Sequence, residues 1–224
     1  ERRKELCAHK THEFLLWSNL NNNKDWTGNK NSIFKTLGAT NHTDKERQSE
    51  DYYATDSSAI DKLLSTGINL SNRVLEPACG EGHLSKRLEE FGYSVLSTDL
   101  IARGYGKGGV DFLKSYNEAN KWDGDIITNP PFKISLDFVK HALNIVENGR
   151  KVIMFLKLTF LEGVERGEFF KTNPPKEVLV FSKRIMCAKN GNFEEMKAGG
   201  GSAVAYAWFV WEKGFQGKPE IEWI

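Results

Sequence analysis

The four residues Asn129-Pro130-Pro131-Phe132 carry the most specific chemistry in the chain, and they directly follow the apolar run Asp125-Ile126-Ile127-Thr128. The tetrapeptide therefore sits where a strand ends. Two successive prolines remove two backbone donors and stiffen the turn, which leaves carbonyl oxygens free to accept hydrogen bonds. The side-chain oxygen of Asn129 beside the Pro130 carbonyl makes a paired acceptor suited to an exocyclic amino group, and Phe132 supplies a flat face for a base to stack on. These residues suffice to recognise an amino-bearing aromatic ring. A rigid strand-ending turn is the plainer account of the same four positions.

Two further candidate groups also fall at strand ends. The short β-type run Arg73-Val74-Leu75 enters Glu76-Pro77-Ala78-Cys79-Gly80-Glu81-Gly82, after which Leu84, Leu88 and Phe91 resume helical spacing. In this strand, glycine loop and helix, small residues would let a ligand approach the backbone. Gly-x-Gly alone also suits a tight turn with no ligand. Asp99 closes the next apolar run, residues 93–98, about twenty residues beyond the loop, where an acidic side chain can accept hydrogen bonds from ribose hydroxyls. Taken singly, it fits a turn or helix cap equally well. The residue three beyond Gly82 is Ser85, not the third glycine of a dinucleotide fingerprint, which argues against a nicotinamide cofactor.

The elements that must position these groups follow from periodicity. Ala59, Ile60, Leu63 and Leu64 recur at helical spacing behind Asp56, Ser57 and Ser58, any of which can cap a helix. Residues 135–146 place Leu136, Val139, Leu143 and Val146 on one helical face, and residues 151–158 form a strongly apolar strand. Alternation of strand and helix predicts an α/β fold with a parallel sheet and helices on both faces, and ligands in such sheets bind beyond the carboxyl ends of the strands. Residues 177–181 and 203–211 read as two more strands, separated by the mostly polar, glycine-containing stretch 182–202. Residues 1–50 show no sustained period and read as an N-terminal arm or extension, with residues 51–224 as the globular domain.

A length of 224 residues favours one core, and Lys+Arg 31 against Asp+Glu 30 leaves a net charge of +1. That balance excludes a histone-like polycation and an acidic tail, so any nucleic-acid contact must be local. The three cysteines suggest no disulfide framework and point to a reducing cytoplasm. No apolar run approaches the roughly 20 residues that span a bilayer. Cys7, His9 and His12 lack a second pair at zinc-site spacing, so no metal site is expected. The glycine-rich stretch 103–109 lacks the Gly-Lys-Ser/Thr ending of a phosphate loop and reads as a flexible loop near a cofactor.

Together these residues resemble the amino-methylating class of S-adenosylmethionine-dependent methyltransferases, in which Asn or Asp, two prolines and an aromatic follow the fourth strand. More narrowly, the chain resembles small DNA adenine N6-methyltransferases of phages and mobile elements. The likeness runs from about Trp26 to Trp211 and includes Leu37-Gly38-Ala39-Thr40-Asn41-His42, Asp51-Tyr52-Tyr53-Ala54-Thr55-Asp56, Arg103-Gly104-Tyr105-Gly106 and Ala207-Trp208-Phe209-Val210-Trp211. It implies a Rossmann-like seven-strand methyltransferase sheet binding S-adenosyl-L-methionine. By that resemblance Glu76, Ala78, Gly80 and Gly82 would line the methionine half of the cofactor and Asp99 would hold its ribose. Asp111 and Phe112 would meet its adenine, and Tyr53 and Thr55 would reach its carboxylate. Asn129, Pro130, Pro131 and Phe132 would form the catalytic motif. A core aromatic at Tyr53, a helix cap at Thr55 and a solvated loop residue at Asp111 are the plainer alternatives.

The expected reaction is methyl transfer to the N6 amino group of adenine in DNA, with the base flipped out of a duplex. Competing readings are an RNA base amino-methyltransferase, a protein glutamine methyltransferase, and a non-catalytic binding subunit that keeps the fold. The stretch 182–201 carries Lys183, Arg184, Lys189 and Lys197 against Glu194 and Glu195, a local +2. It either tracks phosphates or forms a solvated hairpin. The catalytic fold leaves no room for a large recognition domain, so specificity is expected from the arm, from this stretch, or from a separate subunit.

Overall fold

The computed structural model describes residues 52–117 and 119–224. The arm expected over 1–50, with its Cys7, His9 and His12, lies outside them. A two-stranded ribbon pairs β1 (Tyr53–Thr55) with a later strand. Chain order continues with α1 (Ser58–Ser65), β2 (Arg73–Glu76), α2 (His83–Glu90), β3 (Ser94–Ser97), α3 (Phe112–Ser115) and β4 (Asp125–Thr128). Then come α4 (Ser135–Ile145), β5 (Lys151–Lys157), α5 (Val164–Thr172), β6 (Glu177–Val180), β7 (Cys187–Lys189), α6 (Phe193–Ala198), β8 (Tyr206–Glu212) and β9 (Glu220–Trp223). Of the three candidate caps before α1, Asp56 acts: its Oδ1 accepts from the Ser58 N–H at 2.9 Å.

Seven strands form one mixed sheet in the order β3-β2-β4-β5-β8-β6-β9. The strands β3, β2, β4 and β5 are parallel neighbours, as the alternation of strand and helix predicts. The sheet is not parallel throughout, because β8 lies antiparallel between β5 and β6. The reason lies in the connection from β6 to β8: its one helix, α6, has six residues and buries none of them, so it supplies no crossover packed on a sheet face. Strand β9 is exposed at every position and pairs parallel with β6 at the sheet edge. Its Glu-Ile-Glu-Trp alternation is the period-2 signal of a strand.

Side-chain parity along the central strands divides the core into two layers. Val152, Met154 and Leu156 of β5, with Ala207, Phe209 and Trp211 of β8, pack against Phe138, Val139, Ala142 and Leu143 of α4. The alternate residues Ile153, Phe155, Trp208 and Val210 face Ala59, Ile60 and Leu63 of α1 and Leu84 and Leu88 of α2. Helices thus cover both faces. Asp125 fastens the start of β4: buried at 1% exposure, it accepts from the Ser71 N–H and the Lys151 N–H, each at 2.7 Å.

Candidate active site

Because β2, β3 and β4 run parallel as neighbours, the loop after Glu76, Asp99 and Asn129 all emerge at one end of the sheet. Hydrogen bonds tie the first two together. The Cys79 N–H donates to the Thr98 carbonyl at 3.0 Å, and the Gly80 N–H donates to Asp99 Oδ2 at 2.8 Å. Asp99 Oδ1 accepts from the Ile101 N–H at 2.9 Å. Each carboxylate oxygen carries more lone-pair capacity than one N–H uses, so Asp99 can order the loop and still accept from ligand hydroxyls.

Gly82 is left-handed at φ 80, and a Cβ there would stand 2.2 Å from the Tyr105 ring. At Gly80, φ 55, a Cβ would stand 3.0 Å from Tyr52, whose ring lies under the Arg103 guanidinium at 4.4 Å. The stretch 103–109 folds back so that Lys107 bridges Thr98, which places Tyr105 on the glycine loop. The Tyr105 ring therefore excludes a side chain at Gly82, while Tyr52 only crowds Gly80.

Glu76 is 2% exposed, and its carboxyl group accepts from the Ser85 hydroxyl, which lies 2.6 Å from that of Ser97. Burial pushes this carboxyl up to about 8, against the opposing pull of the Ser85 hydrogen bonds. Ala78 is half-buried against the α4 side of the core. Asp111 is the N-cap of α3, accepting from the Leu113 N–H at 3.1 Å and pairing with Lys114 at 2.9 Å. The Lys114 ammonium holds its carboxyl below the usual range. Phe112 is buried at 2% exposure between Phe138 and His141, with ring centroids 5.0 and 4.8 Å away.

Asn129 has the most directional surroundings. Its Nδ2 donates to the Tyr53 carbonyl at 2.9 Å, to Thr55 Oγ1 at 2.9 Å and, more weakly, to Cys187 Sγ at 3.5 Å. A carbonyl oxygen only accepts, so the amino side of this amide is fixed toward β1. Its Oδ1 is buried with no hydrogen-bond partner among the described residues. A buried acceptor left open costs about 1–3 kcal/mol, which marks the atom as awaiting a donor. The Pro131 carbonyl accepts from the Ile134 N–H at 3.1 Å, whereas no described residue donates to that of buried Pro130.

Around Phe132 stand three residues that the sequence reading did not assign to the site. Tyr206 stacks at 5.9 Å, the Lys157 ammonium sits 4.8 Å from the ring centroid, and Cys187 lies behind, at the Asn129 amide. Tyr53, which the sequence did single out, has its ring 6.1 Å from Phe132. Burial pushes the Cys187 thiol up to about 11, so it is neutral at physiological pH. The visible signal for Lys157 was a lone cation closing an apolar strand; Cys187 and Tyr206 had none. A depression of about 530 Å³ lined by Lys121, Asn144, Val146, Glu147, Asn148 and Lys213 lies at the opposite end of the strands, away from all of these groups.

The donor set fits S-adenosyl-L-methionine. Asp99 retains acceptor capacity for hydroxyls, and the Thr98 and Thr128 hydroxyls, just past β3 and at the end of β4, have no partner among the described residues. The carboxyl groups of Asp99 and Glu76, the latter holding its proton until a nearby cation favours its release, suit a sulfonium cation.

No family model matches the sequence. No curated protein matches it either. Solved structures do. The type IIG restriction endonuclease BpuSI aligns with TM-score 0.50 at 15% identity over 75% of this chain and 26% of its own. The methyltransferase subunit of a type I restriction-modification system from Streptococcus thermophilus aligns with TM-score 0.52 at 11% identity, covering 74% of this chain and 46% of that one. A hemolysin-named protein from Lactococcus lactis aligns with TM-score 0.51 at 14% identity, over 76% and 92%. The chain thus spans about a quarter of the first and just under half of the second. At these identities the likeness concerns the fold, which is the Rossmann-like methyltransferase fold: a mixed seven-strand sheet with helices on both faces.

Proposed function

We propose that this chain is an S-adenosyl-L-methionine-dependent methyltransferase that acts on the N6 amino group of adenine in DNA. The observation that carries the reading is Asn129: its amino group is pinned to β1, and its buried Oδ1 has no donor among the described residues, beside Phe132 and the Pro130 carbonyl. An exocyclic amino group presents two N–H donors, and Asn129 Oδ1 with the Pro130 carbonyl offers two acceptors.

In this reading Glu76, Ala78, Gly80, Gly82 and Tyr53 surround the methionine part of the cofactor, Asp99 holds its ribose, and Asp111 and Phe112 lie toward its adenine. When bound, the cofactor supplies an electrophilic methyl group on a positively charged sulfur. The protein's part is positioning. Hydrogen bonds to Asn129 Oδ1 and the Pro130 carbonyl draw the nitrogen lone pair out of the ring and aim it, while Phe132, backed by Tyr206, supports the base. No strong base is needed, because the amino proton becomes acidic only as the new bond forms and water can take it.

Adenine in a duplex hides this amino group, so the base must be flipped, at a cost of a few kcal/mol for unstacking. Two of the structural neighbours belong by name to restriction systems, and the choice of DNA follows the sequence resemblance to DNA adenine N6-methyltransferases. We further read residues 51–224 as the catalytic domain of a cytoplasmic enzyme, residues 1–50 as an extension to it, and a separate subunit as a source of specificity. Incubation with labelled S-adenosylmethionine and unmethylated DNA, RNA or protein, followed by mass spectrometry, tests the assignment. Label in N6-methyladenine of DNA is expected, and Asn129→Ala should abolish it while calorimetric cofactor binding survives. Label confined to RNA or protein would overturn the substrate, and unchanged turnover in Asn129→Ala would overturn the mechanism.

A further inference from the structure

The ribbon of β1 and β7 stands apart from the main sheet, yet it holds the amide that the proposed chemistry depends on. Its antiparallel register pairs Tyr53 with Lys189, Ala54 with Ala188 and Thr55 with Cys187. Thr55 and Cys187 are therefore direct cross-strand neighbours, 2% and 3% exposed. Both side chains meet Asn129 Nδ2, and the Tyr53 carbonyl supplies a third acceptor from the same strand. Turning the amide over would set its oxygen against the Tyr53 carbonyl, which cannot donate. The loop after β4 places Asn129, but the ribbon decides which way its oxygen points.

We propose that Thr55, supported by Cys187 across the ribbon, is a positioning residue for the Asn129 amide rather than a ligand of the cofactor. This rests on the reading of Asn129 as the acceptor for the target amino group. It also makes the stretch 182–201, which contributes β7, part of the active-site framework, because Cys187 cannot reach Asn129 unless β7 is paired with β1. The Asn190 N–H, donating to the Tyr52 carbonyl at 2.8 Å, extends that pairing by one more bond.

Thr55→Val removes the acceptor while keeping the branched shape, and Thr55→Ser restores the hydroxyl. In the full chain, Thr55→Val is expected to lower kcat roughly tenfold, the effect of one lost orienting hydrogen bond. The cofactor Kd and the substrate KM should stay within twofold, the scatter expected of an uninvolved group, and Thr55→Ser should recover most of the rate. Independently of turnover, the Asn129 side-chain NH2 signals, identified by their loss in Asn129→Ala, should exchange slowly with solvent in the wild type and faster in Thr55→Val. Should Thr55→Val not fold, Thr55→Ala carries the same comparison. A weakened cofactor Kd with unchanged kcat, or unchanged exchange of the Asn129 NH2 group, would overturn the positioning role. A wild-type chain that methylates nothing would refute the proposed activity, and the exchange measurement would still decide how the amide is held.

Discussion

Replacing Glu76 by Gln isolates the electrostatic cost built into the candidate site. The Glu76 carboxyl is 2% exposed, bonded to Ser85, and pushed by burial from the ordinary 4.5 up to about 8. The unfolded chain gives up this proton near 4.5, whereas the folded chain keeps it to about 8, so between those values the native state binds the extra proton. Rising pH therefore destabilises the fold, by about 1.4 kcal/mol per pH unit, through that window only. The loss is absent below it and complete above it, reaching about 5 kcal/mol before relaxation of the buried site reduces the figure. Glu76→Gln keeps the shape and an acceptor for Ser85 but does not titrate. In urea unfolding, the stability of the variant minus that of the wild type should climb from near zero at about pH 5 to several kcal/mol at about pH 8.5. A bound sulfonium favours the ionised carboxylate, so wild-type cofactor affinity should rise as pH climbs toward about 8 while that of Glu76→Gln stays flat. Parallel stability profiles for the two proteins would refute the account of Glu76 as a buried, proton-holding carboxyl group.

Three further substitutions probe separate parts of the framework. Asp99→Asn replaces one acceptor by a donor facing the Gly80 or Ile101 N–H, and should cost about 1–3 kcal/mol of stability along with cofactor affinity; calorimetry and chemical unfolding read both, and an unchanged Kd would remove Asp99 from the cofactor site. Gly82→Ala puts a methyl group into the Tyr105 ring at a left-handed position, so a drop in Tm is expected, partly recovered by Tyr105→Ala in the same chain. Asp125→Asn can satisfy only one of the two N–H groups of Ser71 and Lys151, which should cost about 1–3 kcal/mol in urea unfolding with no change in cofactor Kd.

Much of the frame was legible because its signals are local. The apolar run Val152 to Leu156 of β5 and the Ile126-Ile127 pair of β4 mark strands buried on both faces, and the helical spacing of Leu136, Val139 and Leu143 marks the cover of α4. The strand-ending positions of Glu76, Asp99 and Asn129 then follow, since parallel strands bring their carboxyl ends to one side. Less legible were the features that depend on pairing at long range. The antiparallel insertion of β8 between β5 and β6 was not visible, because a strand pattern does not state its direction. Thr55 suited a helix cap or a cofactor contact by sequence, yet its hydroxyl bonds the Asn129 amide because β1 pairs with β7 instead of entering the main sheet.

The sequence by itself determined the kinds of atoms available: a stiff Asn-Pro-Pro-Phe turn, a glycine loop, an acid at the next strand end, and a near-neutral chain whose contacts must be local. These are properties of residue type and spacing along one strand or turn. Tertiary structure alone decided the direction of the Asn129 amide, the proton on Glu76 and the company of Phe132. Each of these depends on which distant side chain occupies the neighbouring few ångströms, and hydrogen-bond direction and desolvation are fixed at that scale.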